Sequence, residues 1–231
     1  MKAGVKPRTL NKRRRPPARR RYDASGRQAA SLETRRTIAS AARQLFLANG
    51  YAGTTMAAIA TAAGVSHETV YAAFGPKPVL FRSLVETALS GTDEPVPALE
   101  RESTRALQAE PDPARMLERY AHVVRLLHER LAPLFDVLRD GARTETDLKV
   151  FADELSTRRV GHMRALAADL AAKGGLREGL SIETAADMFW VMISPEFYLL
   201  WVRERGWPPD VFEQWLADAF KRLFLPQALL Q

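Results

Sequence analysis

Residues 54–81, TTMAAIATAAGVSHETVYAAFGPKPVLF, decide the fold of this chain. Four apolar residues at helical spacing follow the threonine pair and predict a short first helix. Gly64 can adopt the positive φ that ends a helix, and Ser66 can cap a second one. In that second helix Val70 and Phe74 face inward, one turn apart. Two helices joined by a tight glycine-containing turn form the helix-turn-helix pattern, whose second helix enters the DNA major groove.

Apolar stripes at helical spacing flank this stretch on both sides. The upstream stripe predicts a helix that opens at Ser31 or Thr34 and ends at Gly50. The downstream stripe predicts a fourth helix that begins near Lys77 and links the first part of the chain to the second. We therefore expect a DNA-binding domain of three helices plus this linking helix at residues 31–91.

Residues 92–231 continue with helical stripes and contain no alternating strand pattern of useful length. Asp112-Pro113 is a helix start signal, and Pro133 is expected to kink that helix or to start another. A later helix contains residues 188–201, MFWVMISPEFYLLW, which are apolar on nearly every face. Such a helix is expected to be buried by its own core and by a partner subunit. The predicted fold is all-α, with about nine to ten helices and a C-terminal ligand-binding and dimerisation domain.

The positive charge of the chain is concentrated at its N-terminus. Residues 1–30 contain 11 of the 34 lysines and arginines and one acidic residue, a net charge of +10. The other 201 residues contain 23 basic and 26 acidic residues, a net charge of −3. We expect residues 1–30 to form a disordered basic arm. The arm can attract phosphates, read the minor groove or act only as a solvated tail, and charge alone does not choose among these.

The sequence lacks the patterns of several other classes of protein. It has no cysteine, no run of 18 apolar residues and no secretory apolar segment, which predicts a cytoplasmic protein that does not enter membranes. His122 and His128 lie six residues apart, on different faces of a helix, and make a poor metal pair. No phosphate-binding loop, dinucleotide fingerprint or HExxH motif is present. We expect no enzyme activity, no cofactor and no metal.

The pattern across residues 38–81 resembles the DNA-binding domain of the TetR family of transcriptional repressors. Residues 92–231 resemble, more loosely, the effector and dimerisation domain of one branch of that family, above all in residues 194–220. The positions that carry the first resemblance are Ile38, Ala41, Ala42, Leu45, Phe46, Gly50, Tyr51, Thr54, Thr55, Ile59, Ala60, Ala63, Gly64, Val65, Ser66, Thr69, Val70, Tyr71, Phe74, Lys77, Leu80 and Phe81.

The resemblance implies that the second helix of the motif reads bases and that nearby helix ends hold phosphates. Thr69 could touch a thymine methyl, and Glu68 could accept a hydrogen bond from a cytosine amine. Arg35 and Arg36 lie near the start of the first helix, where phosphate contact and solvated surface are both open. The expected DNA-contacting residues are Thr54, Thr55, Ser66, His67, Glu68, Thr69, Tyr71, Lys77, Arg35 and Arg36.

The resemblance also implies a homodimer joined through the two C-terminal helices of each chain. Two-fold symmetry then matches a palindromic operator on double-stranded DNA. A small, largely apolar effector is expected to bind among the C-terminal helices and to release the repressor. Candidate lining residues are Tyr120, Phe135, Met188 and Trp190, although apolar residues at helical spacing also build ordinary cores.

Two other functions stay open at this stage. The basic arm could drive non-specific, architectural DNA binding, with the C-terminal part serving only to dimerise. Such binding should be lost when residues 1–30 are deleted and should not distinguish DNA sequences. An α-helical enzyme or ligand-sequestering protein would instead bind or turn over a ligand without affinity for DNA.

Overall fold

The computed structural model describes residues 24–229, which fold into ten α-helices joined by turns and short irregular segments. The predicted all-α class, with an N-terminal helix-turn-helix, is confirmed. The helices are α1 (Ala24–Gly53), α2 (Met56–Ala63), α3 (His67–Phe74), α4 (Lys77–Ser90), α5 (Glu102–Ala109), α6 (Pro113–Gly141), α7 (Thr146–Ala172), α8 (Ile182–Met192), α9 (Pro195–Leu199) and α10 (Pro209–Phe224).

Helix α1 begins earlier than the sequence pattern indicated. Its first residue is Ala24, seven positions before the predicted start at Ser31, so residues 24–30 belong to the helix. The rest of the predicted arm, residues 1–23, lies outside the described residues, and its disorder stays a prediction. Near the other end, Gly50 has φ 71° and ψ 178° and breaks the helix, a conformation that favours glycine.

Helices α2 and α3 have the caps that the sequence indicated. Thr55 accepts a hydrogen bond from the amide of Ala58 at 3.1 Å, and Ser66 accepts one from the amide of Thr69 at 3.1 Å. Gly64 ends α2 in the left-handed conformation, with φ 66°. Of these, Gly64 and Ser66 shape the turn through which the chain enters α3.

The apolar faces of α1 to α4 converge on a core around Phe46 and Phe81, whose ring centroids lie 4.9 Å apart. The same core includes Leu134 and Leu138 of α6 and Phe151 of α7, all three fully or almost fully buried. Helices α1 to α4 are therefore packed around one end of α6. They do not form a separate core that a flexible linker joins to the rest.

A second core surrounds the first half of α6. It joins Leu117 and Val124 to Phe189 of α8 and Phe220 of α10, all of them buried. Pro133 lies between the two cores, and α6 continues through it to Gly141. The alternative in which a new helix starts at Pro133 is therefore wrong. Helix α6 is one continuous element that contributes to both cores.

The long apolar helix expected around Pro195 is divided. Helix α8 stops before Ser194, which caps α9, and a wider π-type turn extends α9. His128 of α6 holds this break, since its Nε2 donates to the carbonyl of Ile193 at 2.8 Å. Only 1% of the His128 surface is exposed, and burial lowers its pKa to about 4. The imidazole is therefore neutral, and its Nδ1 can only accept.

We expect His128 to make the free energy of unfolding depend on pH between about 6.5 and 4. An unfolded histidine takes up a proton near pH 6.5, whereas folded His128 does so only near pH 4. Protonation in this window favours the unfolded chain, so the contribution is complete above pH 6.5 and is lost as the pH falls. The loss attributable to His128 should approach about 3 kcal/mol at pH 4.

Urea denaturation at each pH checks this expectation. His128→Gln retains a donor for the Ile193 carbonyl but cannot titrate, so its stability should fall less steeply than that of the wild type. His67→Gln changes an exposed histidine of α3 and serves as the control, with the wild-type slope. Equal slopes for His128→Gln and the wild type would contradict the prediction.

Candidate nucleic-acid interface and internal cavity

Helix α3 has one buried side and one side open to solvent. Val70 and Phe74 are buried in the core, which fixes the helix against α1, α2 and α4. His67, Glu68 and Tyr71 are exposed, and the rings of His67 and Tyr71 lie 4.9 Å apart. The second helix of the motif therefore presents one aromatic, one imidazole and one carboxylate group on a rigid support.

The first turn of α3 carries a negative charge beside its cap. The backbone amide of Glu68 and then the hydroxyl of Ser66 hold the pKa of the Glu68 carboxyl below its usual value. Glu68 therefore stays ionised and acts only as an acceptor, which suits a base amine and repels a phosphate. The Thr69 hydroxyl lies 3.0 Å from the Ser66 hydroxyl, so both groups already take part in the cap.

The two threonines before α2 lie in different surroundings. Thr54 is fully buried, and its hydroxyl donates to the carbonyls of Leu45 and Gly50 at 3.1 and 2.8 Å. The expected phosphate contact through the Thr54 hydroxyl does not fit this burial, because that proton holds the end of α1. Thr55 is exposed, and its oxygen accepts from the amide of Ala58, which leaves its hydroxyl proton available to a phosphate.

Lys77 joins three elements at the same corner. Its ammonium group donates to the carbonyls of Tyr51 and Thr54 at 3.0 and 3.1 Å and lies 4.1 Å from the centre of the Tyr51 ring. Two of its three protons are thus engaged within the protein, and one is left for an external acceptor. Lys77 places a positive charge beside the exposed start of α2.

The two arginines near the start of α1 have different partners. The guanidinium of Arg35 lies 4.2 Å from the centre of the Phe74 ring and donates to the carbonyl of Ala73, at the end of α3. Arg36 forms an ion pair with Asp93 at 2.7 Å, beyond the end of α4. The structure therefore brings Arg35 to the recognition helix and leaves the charge of Arg36 already paired.

A cavity of about 460 Å³ lies between the end of α4 and helices α5 to α9. Three of the four residues predicted to line an effector pocket, Tyr120, Phe135 and Trp190, are on its wall. Met188, the fourth, packs against the C-terminal core and is not among the residues of the wall. The cavity is enclosed mainly by apolar side chains, as expected for a small-molecule site.

The cavity also has a polar part that the sequence analysis missed. Four arginines line it, together with two histidines and two carboxylates. One signal was available, because Arg159 lies four residues after Leu155 and four before Met163, on the apolar stripe of α7. An arginine at such a position faces the interior. The charged lining residues are Arg101, Arg130, Arg158, Arg159, Glu196 and Asp169, and the histidines are His128 and His162.

Residues 24–229 contain neither a membrane-spanning helix nor a metal-binding cluster. In this part of the chain, no helix is both long and apolar enough to cross a membrane. The same residues contain no group of three or more His, Asp or Glu side chains placed to hold a metal ion.

Comparisons with known proteins agree with this architecture. Residues 38–84 match the family described as bacterial regulatory proteins, tetR family. A TetR-family transcriptional regulator from Mesorhizobium loti has 25% sequence identity and a TM-score of 0.61, over 87% of this chain and 96% of that one. No curated protein matches the chain.

Two further solved structures have the same fold at lower identity. NalD of Pseudomonas aeruginosa, the secondary repressor of the MexAB-OprM multidrug efflux pump, has 23% identity and a TM-score of 0.64, over 84% of this chain and 98% of that one. FadR of Bacillus subtilis, solved in complex with stearoyl-CoA, has 19% identity and a TM-score of 0.62, over 80% and 96%. The chain therefore has the fold of TetR-family transcriptional regulators, and its match to the family itself covers residues 38–84.

Proposed function

We propose that this protein is a homodimeric repressor that binds a palindromic operator and is released by a small effector with a largely apolar body. The observation that carries the proposal is the exposed side of α3, where His67, Glu68 and Tyr71 stand on a helix anchored by Val70 and Phe74. A helix held in this way can enter the major groove without first having to become ordered.

The proposed phosphate contacts come from the corner where α2 and α4 begin. Thr55 and the first amides of α2 can bind a phosphate, because the N-terminus of a helix offers free N–H groups. Lys77 adds a positive charge there, and Arg35 adds another beside α3. Such contacts set the position of the protein on DNA, and the bases are read by α3.

Exposed apolar side chains on the last helices support a dimer through that surface. Val191 of α8, Leu200 after α9 and Val211 of α10 are all exposed in the single chain. The half-buried rings of Trp201, which follows Leu200 in the chain, and Trp215 of α10 lie 4.9 Å apart. A surface of this composition is typical of an interface between subunits.

The cavity supports the ligand-responsive part of the proposal. Its wall includes Leu89 and Ser90, at the end of the helix that begins with Lys77. A ligand that prefers the DNA-free arrangement would shift α4 and weaken operator binding. FadR of B. subtilis carries stearoyl-CoA in the same fold, which supports a ligand with an apolar chain.

Selection from random duplex DNA tests the proposal. It compares the full chain with a chain that starts at Ala24, where α1 begins. Enrichment of one palindrome by both proteins supports the repressor, with specificity in the helix-turn-helix. Retention of DNA by the full chain alone, without any enriched sequence, would support the architectural alternative, which the +10 charge of residues 1–30 favours.

Tyr71→Ala should weaken binding to the selected palindrome by about tenfold or more, since it removes a contact group from the recognition helix. Its melting temperature should hardly change, because 45% of the Tyr71 surface is exposed. Fluorescence anisotropy and thermal denaturation measure the two quantities. Val160→Ala, at a position 46% exposed on α7, is the matched control and should leave both unchanged. Wild-type affinity in Tyr71→Ala would contradict its assignment to the interface.

Leu200→Glu should convert the dimer into a monomer, because it places a charge in the proposed interface. Light scattering coupled to size exclusion measures the molar mass. Val150→Glu makes the same change at an equally exposed position of α7, 52% against 50%, and should leave the dimer intact. A dimeric Leu200→Glu protein would place the interface elsewhere.

A further inference from the structure

The wall of the cavity carries an excess of positive charge. Besides its four arginines it has two carboxylates, those of Asp169 and Glu196. Asp169 is already paired with Lys173 of the same helix at 2.7 Å. The charge of Glu196 acts on Arg159, whose guanidinium lies 4.4 Å from the centre of the Trp190 ring. Neither carboxylate therefore neutralises the other three arginines.

Those three, Arg101, Arg130 and Arg158, form a cluster at the end of the cavity next to α4. Within residues 24–229, Arg101 and Arg130 have no ion-pair partner, and they donate to the carbonyls of Val96 and Ala88 at 3.0 and 3.3 Å. Burial lowers the pKa of both guanidinium groups. Each has lost hydration without forming an ion pair in the described chain, since Glu86 acts on Arg101 and Glu129 on Arg130 only from a longer distance. An anionic ligand relieves this condition.

The third member of the cluster is bound to α4. Arg158 donates to Glu86 at 2.7 Å, and this carboxylate is mostly buried. The charges of Glu86, Arg158 and Arg130 all act on Arg101, so the carboxylate of Glu86 serves Arg101 as well as Arg158. Glu86 belongs to the helix that begins at the DNA-binding corner, and it therefore connects the cationic end of the cavity to that corner.

Most of the remaining wall is apolar. Leu127 and Phe135 of α6, and Leu155 and Leu166 of α7, line the space beyond the arginines. A site with one cationic end and an apolar body suits a molecule with the complementary division. We propose that the effector is an organic anion, with its carboxylate or phosphate held by the arginine cluster and its apolar part along α6 and α7. This inference rests on the proposed function, because it names the ligand class of the same cavity.

The same contacts provide a route from ligand to DNA. Arg130 holds the carbonyl of Ala88 and Arg158 holds Glu86, so both arginines fasten the end of α4. An anion in the cavity competes for these guanidinium groups and weakens their hold on α4. The ligand thus favours an arrangement in which α4 is released, and operator DNA must weaken anion binding by the same factor.

Calorimetry on the full chain without DNA tests the ligand class. The probes are octanoate, octyl phosphate and octanol, which share one apolar chain and differ in the head group. At least one of the two anions should bind about tenfold or more tightly than octanol. Arg101→Gln and Arg130→Gln should each reduce that preference about tenfold and leave octanol binding unchanged. Arg105→Gln, an exposed arginine of α5, is the matched control and should behave as the wild type.

Glu86→Gln tests the competition directly. Because it removes the carboxylate that occupies Arg158, anion binding should tighten by about threefold or more. A change in the opposite direction, or none, would overturn the route through α4. This variant gains affinity, so a loss of folding cannot imitate the expected result.

Three results would each overturn the proposal of an anionic ligand. Octanol and both anions could bind equally, none of the three probes could bind, or both arginine variants could bind the anions with wild-type affinity. These measurements do not involve DNA. If the protein selects a palindrome but prefers octanol, the proposed repressor function stands and this inference fails. If it prefers the anions but selects no DNA sequence, the ligand class stands and the proposed repressor function fails.

Discussion

The packing of α6 into two cores is the constraint on which the rest of the structure depends. Leu134 and Leu138 complete the core of the DNA-binding helices, and Leu117 and Val124 belong to the core of the C-terminal helices. Close-packed interiors transmit displacement because they have no slack to absorb it. In the proposed repressor, a change in the C-terminal part would therefore reach helices α1 to α3 through α6 itself as well as through the shorter contacts of α4.

Charged and polar groups are concentrated where these two cores meet the cavity. Burying a guanidinium or an imidazole is unfavourable, and His128 responds by staying neutral while it holds the break between α8 and α9. Arg101 and Arg130 keep their charge with only carbonyl partners in the described chain. Titratable groups in unfavourable surroundings are characteristic of binding sites. The interior that stabilises the fold thus also contains the buried charged groups that a bound ligand would stabilise.

The two threonines before α2 show what a local sequence pattern can and cannot predict. The sequence predicted a cap there, and Thr55 provides it. Adjacent residues at a cap point in different directions, and the Thr54 hydroxyl turns inward because it donates to the carbonyls of Leu45 and Gly50. The start of α1 was missed for a different reason. Residues 24–30 were grouped with the basic residues before them by charge, although they contain no proline and only one basic residue.

The sequence by itself determined the all-α class, the helix-turn-helix and the exposed side of its second helix, because caps, turn glycines and apolar periodicity act over a few residues. Only the tertiary structure decided that α6 joins both cores and that the charged end of the cavity lies against α4. Arg101, Arg130 and Arg158 come from three segments that are distant along the chain. Their convergence depends on how helices pack, and no local pattern of residues encodes it.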